Sequence, residues 1–176
     1  MQEAHPAIVV SKLMSTQTLA FKFRQPKTQA SGVMFQDPPY TISANVRIRT
    51  ETRRLFYAVV VPEYLDAWLR VPDHDAAWAV TPLHQTPGFT LNWRNARAAH
   101  SRILAVYKTC RRRKLIIGWK LENGDLLKES SVVIRISGDF GCSVLSLFHS
   151  GFATLDDFAW HRQFWNLSLV RLARLF

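Results

Sequence analysis

Several short stretches of the sequence alternate apolar with polar residues, and turn residues separate them. The first, TISANVRIRT (41–50), predicts a strand with one buried face, formed by Ile42, Ala44, Val46 and Ile48. Similar patterns predict about six further strands, at 77–84, 88–94, 101–110, 114–122, 131–137 and 142–152. Because tight turns join these strands, we expect an antiparallel sheet.

Two short helices are predicted between the first strand and the others. Apolar residues recur at helical spacing in LFYAVV (55–60), and Thr50 or Thr52 is the expected N-cap. Pro62 ends this helix and stands at the first turn of a second one, PEYLDAWL (62–69).

A long amphipathic helix is predicted at the end of the chain. Thr154, with Asp157 three residues later, is typical of an N-terminal capping arrangement. A helix of about 22 residues spans roughly 33 Å, which is enough to cross a sheet. Its apolar stripe contains Phe158, Trp165, Leu169, Leu172 and Phe176. Sheet parity turns Leu145, Leu147 and His149 toward this helix.

Residues 1–38 are rich in Gln, Ser, Thr and Pro and show weak periodicity, so we interpret them as a flexible leader. One short ordered piece is expected around Leu19 to Phe23, and the domain itself at residues 39–176. The chain shows neither a signal-peptide pattern nor an apolar run near the roughly 18 residues of a membrane span. A cytoplasmic protein is therefore expected, with Cys110 and Cys142 as free thiols.

The net charge of +10 is unevenly distributed along the chain. Between residues 76 and 121 the sequence has nine Lys and Arg and no Asp or Glu. Four of them, Arg111, Arg112, Arg113 and Lys114, form a predicted turn between two apolar strands. This turn is either a solvated hairpin end or a surface for an acidic protein partner. No nucleic-acid-binding motif accompanies it, so nucleic acid is not an expected partner.

Three stretches resemble one known family. VRIRTETRRLFYAVVVPEYLDAWL with Trp68, KLIIGWKL with Trp119, and LSLFHSGF followed by a tryptophan-bearing terminal helix are similar to the SRPBCC (START-like) superfamily. Within it, the chain from about Tyr40 to Phe176 resembles the activator homologues of heat-shock-protein-90 ATPase. The resemblance implies an α+β helix-grip fold, in which a curved antiparallel sheet of about six to seven strands wraps around a long C-terminal helix. Two short helices follow the first strand.

The resemblance also implies a cavity between the sheet and the C-terminal helix, where many relatives bind hydrophobic small molecules. Its expected lining is Trp68, Phe89, Trp93, Tyr107, Trp119, Ile134, Leu147, His149, Trp165 and Leu169. The same side chains would equally fill a solid core, and the sequence leaves both interpretations open. His149 would either contact a ligand or bond to backbone or helix residues at the sheet end.

Three functions are compatible with these observations. The first is non-catalytic binding of a hydrophobic small molecule in the cavity. The second is a co-chaperone-like protein interaction through the basic 94–120 surface. The third is a cyclase or hydrolase that uses His149 with Tyr107 or with an Asp in the cavity. No cofactor is expected and no metal site, because the histidines and cysteines lack ligand spacing. The chain is expected to be a monomer or a homodimer.

Overall fold

The computed structural model describes residues 19–24, 40–72, 77–94, 100–123, 126–139 and 141–176. Within these residues the chain forms eight strands and three helices. In chain order they are β1 (Leu19–Arg24), β2 (Thr41–Ile48), α1 (Thr52–Val60), α2 (Pro62–Trp68), β3 (Trp78–Pro82), β4 (Gly88–Arg94), β5 (His100–Arg111), β6 (Lys114–Asn123), β7 (Leu126–Asp139), β8 (Cys142–Ser150) and α3 (Leu155–Arg174).

The strands form one antiparallel sheet in the order β1–β2–β8–β7–β6–β5–β4–β3. The seven strands from β2 onward agree with the predicted number. The ordered piece expected around Leu19 to Phe23 is confirmed as β1, which pairs with β2 at the edge of the sheet. The other leader residues, 1–18 and 25–38, lie outside the described part of the chain, and the domain boundary at residue 39 stays a prediction.

Alternation along the strands decides which face of the curved sheet is buried. In β2 the residues Ile42, Ala44, Val46 and Ile48 are at most 1% exposed, as their spacing predicts. Leu147 of β8 lies opposite Ala44 on one side and Ile134 of β7 on the other, so the inner faces of three neighbouring strands are continuous. The helix α3 packs on this inner face, and the architecture is the predicted α+β helix grip.

The ends of the helices show which capping predictions hold. Thr154 is the N-cap of α3, and its Oγ1 accepts a hydrogen bond from the Asp157 N–H at 3.2 Å, as predicted. Pro62 stands at the first turn of α2, also as predicted. The N-cap prediction for α1 was wrong, because Glu51 occupies that position and makes no side-chain capping bond. Thr50 lies in the bend between β2 and α1, where its N–H donates to the Ile48 carbonyl at 2.9 Å.

Candidate functional site

The ten residues expected to line a cavity all come from elements that border the inner face of the sheet. Nine of them are at most 7% exposed, and Tyr107 is half-buried. Two of the ten contact the carbonyls of α1 at one end of the cleft. Trp68 Nε1 donates to the Ala58 carbonyl at 2.8 Å, and Tyr107 Oη donates to the Val60 carbonyl at 3.1 Å.

Trp119 of β6 occupies the centre of the space between sheet and α3. Its indole ring is 1% exposed and has five aromatic or imidazole rings within 6.5 Å between ring centroids. They belong to Phe89, His149, His161, Phe164 and Trp165. Edge-to-face and tilted ring pairs of this kind add to the stabilisation from burial alone. Protein side chains therefore fill the middle of the cleft.

His149 of β8 is fully buried, and both of its ring nitrogens have partners. Trp165 Nε1 donates to its Nδ1 at 2.9 Å, so Nδ1 carries no proton. The proton is then on Nε2, which lies 2.7 Å from the Ser130 hydroxyl and donates to it. The Ser130 hydroxyl in turn donates a hydrogen bond to the Trp119 carbonyl at 3.2 Å. This chain of bonds fixes the neutral Nε2–H tautomer of His149.

His161 of α3 is held in the same way with the opposite tautomer. Its Nδ1 lies 2.8 Å from the Asp157 carbonyl, which can only accept, so Nδ1 is the protonated nitrogen. Its Nε2 accepts from Trp119 Nε1 at 3.2 Å. The two imidazole rings lie 4.8 Å apart between centroids, and one buried network thus joins β6, β7, β8 and α3.

This geometry keeps His149 uncharged. Burial, followed by the neighbouring His161, lowers the pKa of His149 well below its usual range. A proton on Nδ1 would face the Trp165 N–H and place a charge where no solvent reaches. At the other end of the cleft, burial, with a smaller effect of Cys110, raises the pKa of the Tyr107 phenol well above its usual range. Neither group is arranged to exchange a proton near neutral pH.

A second group of aromatic rings lies where the cleft meets the β3 edge of the sheet. We call Trp78, Trp93 and Trp160 the aromatic ledge. Trp78 and Trp93 are directly opposite each other in the β3–β4 pair, and so they project from the same face. Trp160 stacks on Trp93 at 5.6 Å between centroids, and on Phe164 at 5.5 Å. Trp78 and Trp160 are only partly buried, so the aromatic interior reaches the surface here.

Two features of Trp78 distinguish this ledge from the packed centre. The Arg70 guanidinium lies over the Trp78 ring, 4.0 Å from its centroid, in a cation–π contact. The Trp78 Nε1 atom is buried and has no hydrogen-bond partner among the described residues. A buried donor without an acceptor costs about 1–3 kcal/mol, so an acceptor placed against it would be stabilising.

Sequence analysis missed four residues of these arrangements: Ser130, His161, Trp78 and Trp160. Ser130 has the same strand parity as Val132 and Ile134, so its inward direction could have been read from the pattern. His161 lies four residues from both Asp157 and Trp165 and therefore shares their helix face. The sequence pattern could not predict that Trp78 and Trp160 lie together with Trp93. Their proximity depends on the β3–β4 register and on where α3 crosses the sheet.

The basic turn lies at the end of the β5–β6 hairpin, far along the strands from the ledge. Arg111, Arg112, Arg113 and Lys114 are all exposed, and none of them pairs with an acidic residue in the described part of the chain. Elsewhere on the same two strands, Arg102 and Lys120 pair with Glu122. The turn itself is confirmed, with β5 ending at Arg111 and β6 beginning at Lys114.

The described residues contain no group of three or more His, Cys, Asp or Glu side chains that could hold a metal ion. None of the described helices is both long and apolar enough to cross a membrane.

The sequence matches no protein-family model and none of the curated proteins. Solved structures do resemble it. Protein CV1439 from Chromobacterium violaceum is similar over 77% of this chain and 96% of its own, with a TM-score of 0.62 and 18% identity. The Mll3558 protein from Rhizobium loti covers the same shares, with a TM-score of 0.61 and 16% identity. CalU16 from Micromonospora echinospora covers 91% of this chain and 85% of its own, with a TM-score of 0.53 and 16% identity. At these identities the comparisons establish a shared α+β sheet-and-helix fold and nothing about function.

Proposed function

We propose that this chain is a non-catalytic binding module that takes a flat apolar molecule with one hydrogen-bond acceptor at the aromatic ledge. The observation that carries the proposal is the buried, unpartnered Nε1 of Trp78 beside the cross-strand ring of Trp93. Small-molecule sites are mostly apolar and contain few polar groups, which set the orientation of the ligand. The ledge provides both.

The ledge has one ring that can move to admit a ligand. Trp160 is partly buried and stacks on Trp93 with an angle of 17° between the ring planes. Movement of Trp160 away from Trp93 would open a gap between the two rings. A planar ligand would then stack between them, with Trp160 as one wall of the site. The Trp119 ring in the buried centre cannot move in this way. Five neighbouring rings pack against it, and its Nε1 donates to His161.

Catalysis is not part of this proposal. His149 and His161 have both nitrogens engaged inside the protein, and the Tyr107 hydroxyl is bonded to the Val60 carbonyl. Membership of the SRPBCC superfamily, with likeness to the activator homologues of heat-shock-protein-90 ATPase, belongs to the same proposal. The helix-grip fold supports this membership, and ligand binding between the sheet and the helix is the function that the membership implies. A cytoplasmic location stays a prediction.

Nile red, a neutral planar dye that fluoresces in apolar surroundings, tests the site. We expect saturable binding of one dye molecule per chain, weakened at least tenfold by Trp160→Ala because one wall of the site is lost. The matched control is Tyr64→Ala, which removes a 53% exposed aromatic ring on α2. Loss of binding in Tyr64→Ala with retention in Trp160→Ala would place the dye elsewhere and overturn the proposal.

A second candidate function rests on the exposed basic turn. Four adjacent cationic side chains that form no ion pair with an acidic residue among the described residues suit an acidic protein partner. Poly-glutamate serves as a probe of this surface. We expect Arg111→Glu with Arg112→Glu to abolish its binding, and binding to weaken as salt rises. Arg162→Glu with Arg174→Glu changes the net charge equally at exposed positions on α3, outside the turn. Equal loss in both double variants would show a net-charge effect and refute a specific surface.

A further inference from the structure

A cavity of about 330 Å³ lies at the N-terminus of α1, away from the aromatic ledge, and we infer that it binds a phosphate group. Three segments enclose it: the start of α1, the β5–β6 turn at Arg113, and the β7–β8 turn between Gly138 and Ser143. Two hydrogen bonds tie these segments together. The Ile136 N–H donates to the Arg113 carbonyl at 3.0 Å, and Ser143 Oγ donates to the Thr50 carbonyl at 2.7 Å.

The end of α1 that borders the cavity has unsatisfied donors. Glu51 is the N-cap and makes no side-chain capping bond, and the first intrahelical bond runs from the Leu55 N–H to its carbonyl. The N–H groups of Thr52, Arg53 and Arg54 therefore have no acceptor within the helix. The first turn of α1 contains no acidic residue, whereas Glu63 and Asp156 stand in the first turns of α2 and α3. Such an end favours an anion.

The side chain of Thr50 is the independent sign of a ligand. Thr50 lines the cavity and is 5% exposed, yet its Oγ1 is buried without a hydrogen-bond partner. Its other polar atoms are used, because the N–H donates to the Ile48 carbonyl and the carbonyl accepts from Ser143. The hydroxyl is thus the polar group that Thr50 leaves for a molecule in the cavity, and burying it without a partner is unfavourable.

The charged side chains that line the cavity carry a net positive charge, which favours an anion. Arg53 and Arg113 contribute two positive charges and Glu51 one negative charge. The Arg53 guanidinium donates one hydrogen bond to the Tyr57 hydroxyl at 3.5 Å, so most of its N–H donors remain available. Phosphate accepts several charge-assisted hydrogen bonds at once and suits arginine particularly well. The volume is within the range of small-molecule sites, about 300–1,000 Å³, so there is room for a phosphate carried by a small organic molecule.

Alkylation of Cys142 provides a readout for this site. Cys142 is a half-buried free thiol that lines the cavity, and Cys110, the other free thiol, is exposed. In a Cys110→Ser background, inorganic phosphate is expected to slow the reaction of Cys142 with N-ethylmaleimide at least fivefold. Sodium chloride at the same ionic strength is expected to have no effect. Slowing by both salts would mean general screening and would overturn the site.

Two variants separate binding from folding. Thr50→Val removes the hydroxyl that has no partner in the protein, so we expect an unchanged or higher melting temperature together with loss of protection by phosphate. Arg113→Gln should also lose protection, whereas Arg112→Gln, at an exposed turn position that does not line the cavity, should keep it. Protection that persists in both Thr50→Val and Arg113→Gln would refute the inference.

A parallel titration with glycerol 3-phosphate identifies the source of the phosphate group. Protection at lower concentration than with inorganic phosphate would support the site and assign it to a phosphomonoester. Equal or weaker protection would support the site and assign it to free phosphate. If neither compound slows the alkylation of Cys142 at concentrations up to its solubility limit, the result would contradict a phosphate site at this helix end.

Discussion

Replacing His149 by alanine is expected to lower the free energy of unfolding by about 4 kcal/mol, a large share of the roughly 5–15 kcal/mol that stabilise a typical domain. The substitution removes two buried hydrogen bonds, so the Trp165 indole N–H and the Ser130 hydroxyl both lose the His149 ring as a partner. Loss of the ring also opens a hole beside Trp119 and Phe152. Urea denaturation measures the change, and a loss below about 1 kcal/mol would contradict the network.

A double-mutant cycle isolates the bond between His149 and Trp165. His149→Leu leaves the Trp165 donor buried and unpaired, whereas adding Trp165→Phe removes that donor. The double variant should therefore be more stable than the sum of the single effects by about 1–2 kcal/mol. His149→Leu with Trp68→Phe is the control, because Trp68 donates to the Ala58 carbonyl instead. We expect additivity there within about 0.5 kcal/mol. Additivity in both cycles would argue against the assigned bond.

The same residue makes stability depend on pH in a direction that the structure fixes. Burial and His161 hold the native pKa of His149 well below its usual range, while in the unfolded chain it returns to about 6.5. Below pH 6.5 the unfolded chain therefore binds a proton that the native protein does not. The contribution of His149 to the free energy of unfolding should therefore be constant above that pH and fall as the pH is lowered through it.

The His149→Gln variant isolates this contribution, because all other titrating groups are shared with the parent protein. Denaturation curves at several pH values are expected to show a shallower acid slope in the variant than in the parent. His84→Gln, at an exposed position, is the control substitution. Parallel pH profiles of the His149→Gln variant and the parent would show that His149 is not held neutral in the native protein.

The sequence contained enough information for the framework of the fold. Period-two alternation located β2 and β8, and Thr154 with Asp157 correctly placed the start of α3. Its end was less well predicted, because α3 stops at Arg174 and Phe176 is 37% exposed beyond it. Local spacing cannot show where a terminal apolar residue leaves the core.

The candidate sites were harder to predict because they depend on contacts between distant segments. Parity showed that His149 points inward, but its partners Ser130 and Trp165 are 19 and 16 residues away along the chain. The aromatic ledge requires the pairing of Trp78 with Trp93 and the crossing position of α3. The cavity at α1 joins three segments. Sequence analysis assigned a possible binding role only to the basic turn, as a protein-binding surface, and noted Thr50 and Thr52 only as N-cap candidates.

Native mass spectrometry of the chain, freshly purified and then incubated with flat apolar compounds, tests the proposed binding function most directly. The account predicts one apolar molecule per chain, released by organic solvent and bound weakly or not at all by Trp160→Ala. If the parent chain shows only its own mass under both conditions, the aromatic ledge is part of a closed core and the proposed function is wrong.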